Sequence, residues 1–193
     1  MAVRLDRITT RTGDDGSTAL ADGSRLPKDH PLIGAIGAVD EVGCLLGMVR
    51  LQALPEAIAT EVPRVQNDLF DLGADLASPP GGAHEDRIPR INPSQVARLE
   101  LALVLANVDL PALTSFVLPG GSAAATWIHL TRGCVRRAER DVVAAIHALP
   151  QRTFNPEIIR YLNRLSDLCF VWSRRCNLAD GNGDVLWSPG LTR

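Results

Sequence analysis

The residues best suited to chemistry are arginines in helical register. Arg132, Arg136, Arg137, Arg140, Arg152, Arg160, Arg164, Arg174 and Arg175 crowd one part of a chain whose formal charge is only -2. At about 100° per residue, His129, Arg132, Arg136, Glu139 and Arg140 fall on one side of a helix. Trp127, Cys134, Ala138, Val142 and Leu149 gather opposite, with Ile128 and Val135 at the edge. The apolar face is therefore complete without the arginines. A solvated stripe held by pairs three and four residues apart is the plain alternative. Such stripes mix lysine with arginine, however, and arginine alone suits planar, bidentate phosphate recognition. Farther along, Asn163, Asp167, Phe170 and Arg174 share a face, while Tyr161, Leu165, Leu168, Trp172 and Cys176 point away. Asn163 and Asp167, one turn apart, can read a ribose or adenine or hold a magnesium-bound water; equally, Asp167 can pair with Arg164 or Arg174.

A third element lies near the N-terminus, in Thr9-Thr10-Arg11-Thr12-Gly13-Asp14-Asp15-Gly16-Ser17-Thr18. Gly13 and Gly16 let backbone N–H groups turn toward an anion. Thr10, Thr12 and Thr18 add hydroxyl donors, and Lys28 adds a point charge. The segment lacks the GxxxxGK[ST] pattern and its strand–loop–helix context, so it is not a Walker A loop. The three elements together indicate a polyanion site, a nucleotide by class. His30, His84, His129 and His147 show no metal-ligand spacing, and no GxSxG or Cys/His arrangement offers a nucleophile. The metal-binding residues, if any, are unknown, and His84-Glu85-Asp86 reads as a solvated loop.

The elements that must position these side chains are helices. With 193 residues, 46% of them apolar, the chain can build one well-buried core. Apolar spacings of three and four predict helices from Pro31 or Gly34 to Leu51, Pro55 to Ala77, Val96 to Ala106, Ser122 to Leu149 and Pro156 to Ala179. Pro63 is expected to kink the second or to mark its true start. Asn92-Pro93-Ser94 reads as the cap of the third. Residues 1–30 form a polar loop with a short hairpin at most, residues 78–90 an exposed loop, and residues 180–193 a turn-rich tail anchored by Trp187. The expected architecture is all-α, a five-helix up-and-down bundle of one domain over 1–193, its 31–179 bundle preceded by the nucleotide-binding loop 1–30. The balanced charge excludes a general nucleic-acid binder, and no apolar run approaches the roughly 20 residues that cross a bilayer. Four scattered cysteines, Cys44, Cys134, Cys169 and Cys176, without a CxxC pair, point to helix packing in a reducing cytoplasm.

The motifs together resemble the ATP:cob(I)alamin adenosyltransferases of the propanediol-utilisation type. The resemblance rests on the Thr10–Thr18 segment, Gly23-Ser24-Arg25-Leu26-Pro27-Lys28, Val39-Asp40-Glu41 and Phe70-Asp71-Leu72-Gly73-Ala74-Asp75-Leu76-Ala77. Phe116-Val117-Leu118-Pro119-Gly120-Gly121, the Arg132–Arg140 stripe and Tyr161-Leu162-Asn163-Arg164-Leu165-Ser166-Asp167 continue it in family order, over about residues 8–178. It implies a ferritin-like five-helix bundle assembled as a homotrimer, with ATP and the corrinoid at subunit interfaces. Thr10, Thr12, Gly13, Asp14, Thr18 and Lys28 would close over ATP, and Arg136, Glu139, Arg140 and Asn163 would contact it. Asp40 and Arg132 match an intersubunit salt bridge near the active site. Phe116 matches the aromatic that blocks the lower corrin face, and Asp167 lies on the corrinoid side.

The implied reaction moves the 5'-deoxyadenosyl group of ATP to cobalt and releases triphosphate, with Mg2+ accompanying ATP. Partners would be a cobalamin reductase and an adenosylcobalamin-dependent mutase or dehydratase. Two other readings compete: a kinase on a helical scaffold, which would release ADP, and a corrinoid chaperone, which would bind without turnover. Gly133 departs from good helix-forming sequence, at a cost of roughly 1 kcal/mol relative to alanine. No motif carries over to Gly81–Arg90 or the tail.

Overall fold

The computed structural model describes residues 9–81 and 85–192. Five helices carry it: α1 (Pro31–Val49), α2 (Glu56–Ala77), α3 (Pro93–Asn107), α4 (Ala123–Ala148) and α5 (Glu157–Ala179). Each start has a local cause. Pro31 occupies the first turn of α1, where its missing N–H costs nothing, and His30 Nδ1 accepts the Leu32 amide at 3.2 Å. Asn92 and Gln95 form a reciprocal capping box on α3, and Ser122 caps α4 through the Ala125 amide. Pro63 does not mark the start of α2, which begins at Glu56 and runs through the proline; the Asn67 side chain donates to the Pro63 carbonyl at 2.8 Å. A two-stranded hairpin, β1 (Ser17–Ala19) and β2 (Arg25–Pro27), precedes the bundle, with Thr18 opposite Leu26.

α1 packs against α2 and α4, and α5 packs against α4 and α3, so the order across the bundle is α2, α1, α4, α5, α3. One apolar cluster, including Leu32, Val42, Leu72, Val135, Leu165 and Trp172, joins all five helices through Leu99 of α3. Leu20 and Leu26 dock the hairpin onto that cluster. Contrary to the expectation from sequence, α1 is long and apolar enough by length and composition to cross a membrane. Its hydropathy comes from Leu, Ile and Val side chains, several of them buried in the core, it carries Asp40 and Glu41, and it is the helix sandwiched between α2 and α4.

Carboxylates sit where a simple pattern would place leucine. Glu61, Asp68 and Asp75 recur at two-turn intervals on the buried side of α2. Arg98 reaches both Glu61 and Asp68, and the Tyr161 hydroxyl donates to Asp68 Oδ2 at 2.7 Å. Burial, and then the Asp68 charge, push the Tyr161 phenol well above its ordinary value. Asp75 accepts from Arg90 at 2.7 Å, from the Ile91 amide and from Asn155. The stretch up to Arg90 is therefore not simply exposed: a short 3-10 turn, Glu85–Arg87, lets Glu85 grip Arg90, which is half-buried. Residues 1–8, Gly82, His84 and the last residue of the tail lie outside the described residues.

Candidate functional site

The hairpin loop is organised by its own polar groups. Gly16, at φ 82°, lets the chain reverse so that the Lys28 amide donates to its carbonyl at 2.9 Å. Asp15 accepts from the Ser17 amide and hydroxyl, bonds that hold its carboxyl below the usual range. Arg25 donates to the Thr12 carbonyl at 2.6 Å, and the Thr10 and Thr12 hydroxyls are 3.0 Å apart. The Lys28 ammonium lies over Gly13, where a Cβ would stand 3.2 Å from Nζ. Gly13, Thr18 and Lys28 thus share one small hairpin with exposed Asp14, and its lysine folds back over the turn.

On α4 and α5 the arginines divide cleanly. Arg137 pairs with Glu41 of α1, Arg160 with Glu157, Arg164 with Asp167 and Glu100, Arg174 with Asp184, and Arg175 with Asp109. Among the described residues, Arg132, Arg136 and Arg140 are the arginines of these two helices that lack a carboxylate within ion-pair distance. Glu139, which could have neutralised the last two, instead accepts from Asn163 Nδ2 of α5 at 3.1 Å. A solvated stripe would have spent Glu139 on its i,i+3 neighbour. What stands there is a face with three uncompensated guanidiniums beside an oriented amide–carboxylate pair. Arg132 to Arg140 spans roughly 12 Å at 1.5 Å per residue, about the reach of a polyphosphate and its nucleoside.

Two placements differ from the sequence reading. His129 does not stand with the arginines in solvent: it is 4% exposed, set edge-on to Phe170 with ring centroids 6.5 Å apart, and neither ring nitrogen has a partner. The reason is the crossing of α5, whose Phe170 covers that edge of the helix. Arg174 is likewise buried rather than beside Asn163, drawn inward by Asp184. Asp167 takes the plainer of its two expected roles, pairing with Arg164 at 2.7 Å. The thiols follow expectation in part: burial pushes both Cys169 and Cys176 up to about 12, leaving them inert packing groups, while Cys44 is exposed.

The Phe116 loop makes a cleft of about 620 Å³ against the bundle, lined by Phe116, Arg132, Phe170, Trp187 and the backbone of residues 113–117. The structure therefore brings Phe116 and Arg132 together. The Arg132 guanidinium sits 6.0 Å from the Phe170 centroid. Asp40 goes elsewhere, to an apolar cleft of about 510 Å³ between α1 and α2 with Ile36, Gly37, Phe70 and Gly73, and makes no ion pair among the described residues. No described hydrogen bond or ion pair links Thr10, Thr12, Gly13, Asp14, Thr18 or Lys28 to Arg136, Glu139 or Asn163. Trp187, from the tail, is the cleft residue that sequence reasoning left as a mere anchor; a lone tryptophan shortly after Gly181-Asn182-Gly183-Asp184 was the available signal.

The far end of the same loop is fixed by Asn177. Its side chain accepts the Ser122 amide at 2.9 Å and donates to the Gly120 carbonyl at 3.2 Å. Gly121 has φ 102°, and any Cβ there would stand well inside contact distance of the Asn177 amide. Asn177 is 1% exposed and cannot retreat. Gly121→Ala is expected to cost about 2–4 kcal/mol from strain and a lost bond, read as a fall in Tm of roughly 5–15 °C.

Burial, and secondarily the Arg132 charge, hold the His129 imidazole below its ordinary range, with Asp184 acting the other way. A depressed base binds fewer protons folded than unfolded, so its contribution is full above the ordinary histidine value and is lost as pH falls through it. Thermal stability should drop from about pH 7 to 5.5, and His129→Gln should flatten that dependence in melts across the range.

A helical bundle with an uncompensated arginine face beside an aromatic cleft belongs to the class of proteins suited to binding a polyanion. The chain belongs to the cobalamin adenosyltransferase family, whose model matches residues 8–176. It is 46% identical over 194 aligned positions to the corrinoid adenosyltransferase of Mycobacterium tuberculosis H37Rv, covering 100% of this chain and 98% of that protein. It is 44% identical to the cobalamin adenosyltransferase of Cupriavidus metallidurans, covering 97% of each. Among solved structures, a variant PduO-type ATP:corrinoid adenosyltransferase from Lactobacillus reuteri complexed with cobalamin and ATP superposes with a TM-score of 0.85 at 29% identity, covering 94% of this chain and 99% of that one.

Proposed function

We infer that this chain transfers the 5'-deoxyadenosyl group of ATP to the cobalt of cob(I)alamin, giving adenosylcobalamin and triphosphate. The observation that carries this reading, beside family membership, is the face on which Arg132, Arg136 and Arg140 stand without carboxylate partners next to the Phe116 cleft. The cobalt(I) electron pair attacks C5', the C5'–O bond breaks with its electrons on triphosphate, and cobalt becomes formally trivalent. Cobalt is the nucleophile, so the protein needs no nucleophilic side chain. Its work is positioning and the stabilisation of a departing polyanion.

Arg136 and Arg140 hold the phosphates, while Glu139 and Asn163, already bonded to each other, present one acceptor–donor edge to the nucleoside. Thr10, Thr12, Gly13, Asp14, Thr18 and Lys28 close over the same phosphates from a neighbouring copy, as the family resemblance implies. Mg2+ would accompany ATP and offset part of the triphosphate charge alongside Arg136 and Arg140. Phe116, exposed in the cleft, covers the lower corrin face, excludes water and keeps cob(II)alamin four-coordinate, which eases its reduction. Asp167, held by Arg164 at 2.7 Å, would contact the corrinoid. The four free cysteines support a reducing compartment, the cytoplasm.

Self-association as a homotrimer is supported by the separation of Asp40 from Arg132. They line different clefts of one chain, so a pair between them needs two copies. The 75% exposure of Phe70, beside Asp40, gives that contact an apolar centre. Asp40→Asn should retain the helical circular dichroism spectrum but lose activity by about 10–100-fold, with a weaker trimer in sedimentation. A fully active, trimeric variant would remove the pair from the account.

The deciding experiment is an anaerobic assay with ATP and pre-reduced cob(I)alamin, following the Co–C product spectrum and free triphosphate. Stoichiometric triphosphate is the expected result. ADP would point to a kinase, and tight corrinoid binding without turnover to a chaperone.

A further inference from the structure

The tail after α5 is built into the cleft. The Leu118 amide donates to the Val185 carbonyl and the Trp187 amide to the Phe116 carbonyl, both at 2.7 Å, so Val117 and Leu186 form an antiparallel bridge. Ser115 Oγ donates to the Trp187 carbonyl at 2.7 Å, and the Trp187 and Phe116 rings lie 5.9 Å apart. Phe116 itself is 78% exposed. No core packing fixes a side chain so open, and its position in the cleft is inherited from its backbone, which the tail holds.

Beyond its bonds to the Phe116 loop, the described side-chain anchor of the tail on α5 is one guanidinium. Arg174 of α5, 5% exposed, donates through Nε to Asp184 Oδ2 at 2.7 Å and through Nη2 to the Pro111 carbonyl at 2.6 Å. It thereby ties α5, the start of the Phe116 loop and the start of the tail together at one buried point. The Asp184 side chain is 10% exposed, and its Oδ1 has no partner. Beyond it the tail makes its described polar contacts with the Phe116 loop, and 180–183 reverses through Gly181 at φ 75°. Buried ion pairs stabilise little compared with apolar residues of the same volume, yet they fix geometry. Here the geometry fixed is that of the two exposed aromatics in the cleft, Phe116 and Trp187.

We propose that the buried Arg174–Asp184 pair is a positioning pair for the reaction, holding the C-terminal tail as a clasp that sets where Phe116 and Trp187 stand in the corrinoid cleft. This rests on the reading of Phe116 as the residue facing the corrin. Neither Arg174 nor Asp184 touches substrate; each acts through the bridge at Val117 and Leu186. The arginine face that takes ATP lies along α4 and is not tethered by the pair, so corrinoid handling and ATP handling should separate.

The test uses the full chain carrying Asp184→Ala, with Asp184→Asn as the conservative variant and Trp187→Ala as a second route that leaves the buried pair intact. Hydrogen exchange read by mass spectrometry on peptides containing the Leu118 and Trp187 amides reports the clasp without any substrate. For Asp184→Ala those amides should exchange at least about tenfold faster while the core of α4 stays protected. The KM for cob(II)alamin and the rate from it should worsen on the order of 10–100-fold, with the ATP KM little changed. Asp184→Asn should recover part of both losses. Trp187→Ala should keep the exchange pattern of the bundle and still impair cob(II)alamin use. Unchanged exchange at Leu118 and Trp187 overturns the proposal, as does faster exchange with corrinoid kinetics intact. If Asp184→Ala does not fold, an active Trp187→Ala with unaltered corrinoid kinetics overturns it. The underlying reading fails separately, if Phe116→Ala leaves cob(II)alamin kinetics unchanged.

Discussion

Phe116→Ala is expected to slow adenosylation that begins from cob(II)alamin by on the order of 100-fold while leaving the reaction of pre-reduced cob(I)alamin largely intact. The two assays differ only in whether the protein must make cobalt reducible. Phe116 contributes almost nothing to its own chain's packing at 78% exposure, so its loss should leave the melting temperature nearly unchanged. Any kinetic loss then belongs to the cleft. Alanine opens the space beneath the corrin to water, and a fifth ligand stabilises cobalt(II) against reduction. Electron paramagnetic resonance of the cob(II)alamin complex with ATP should lose the four-coordinate signature. Equal losses in both assays would mean that Phe116 orients the substrate as a whole and does not act on the cobalt.

Arg136→Ala should reduce kcat/KM for ATP by about 100-fold, the scale of one preorganised charge-assisted donor at developing negative charge. Arg136 has no carboxylate partner to release and is exposed, so removing it breaks no ion pair and leaves no buried charge behind. Stability should therefore hold within about 0.5 kcal/mol. Arg136→Lys keeps the charge but not the planar fork, and should recover only part of the loss. The control is Arg160→Ala on α5, whose guanidinium already pairs with Glu157 at 2.5 Å. That variant should retain wild-type ATP kinetics; if both fall alike, the division between compensated and uncompensated arginines has no functional meaning.

The five helices were legible in the sequence because period and punctuation agreed. The expected ends fall within a few residues of those observed, closest at Pro55 and Ala77 and at Pro156 and Ala179, with the larger shifts at the capped start of α3 and the end of α1. The arginine face was legible for the same reason, since helical register alone places Arg132, Arg136 and Arg140 together. Burial on that face was not. His129 lies in the stripe by angle, yet Phe170 of another helix covers it, and helix-to-helix crossing is invisible to a single-helix projection. The same limit hid Arg174, whose partner Asp184 comes from the tail. The α2 carboxylates were missed because an acidic residue is taken to face water; the two-turn recurrence of Glu61, Asp68 and Asp75 was the clue that they shared one buried side. The separation of Asp40 from Arg132 within one chain could not be read at all, because register says nothing of which cleft a helix face enters.

The anchoring of the Phe116 loop also has a consequence in time. Its supports, Arg174, Asn177 and the Val185–Trp187 strand, are synthesised roughly 60–70 residues after Phe116 itself, a delay of about 3–14 seconds at ordinary ribosomal speeds. During that interval the α1–α2 pair and the first arginines of α4 have emerged, but nothing yet holds the aromatic in place. The α4 arginines come early in that interval, whereas the anchors of the Phe116 loop are among the last features the nascent chain completes. Until α5 and the tail follow, the loop that carries Phe116 lacks the partners that fix its backbone.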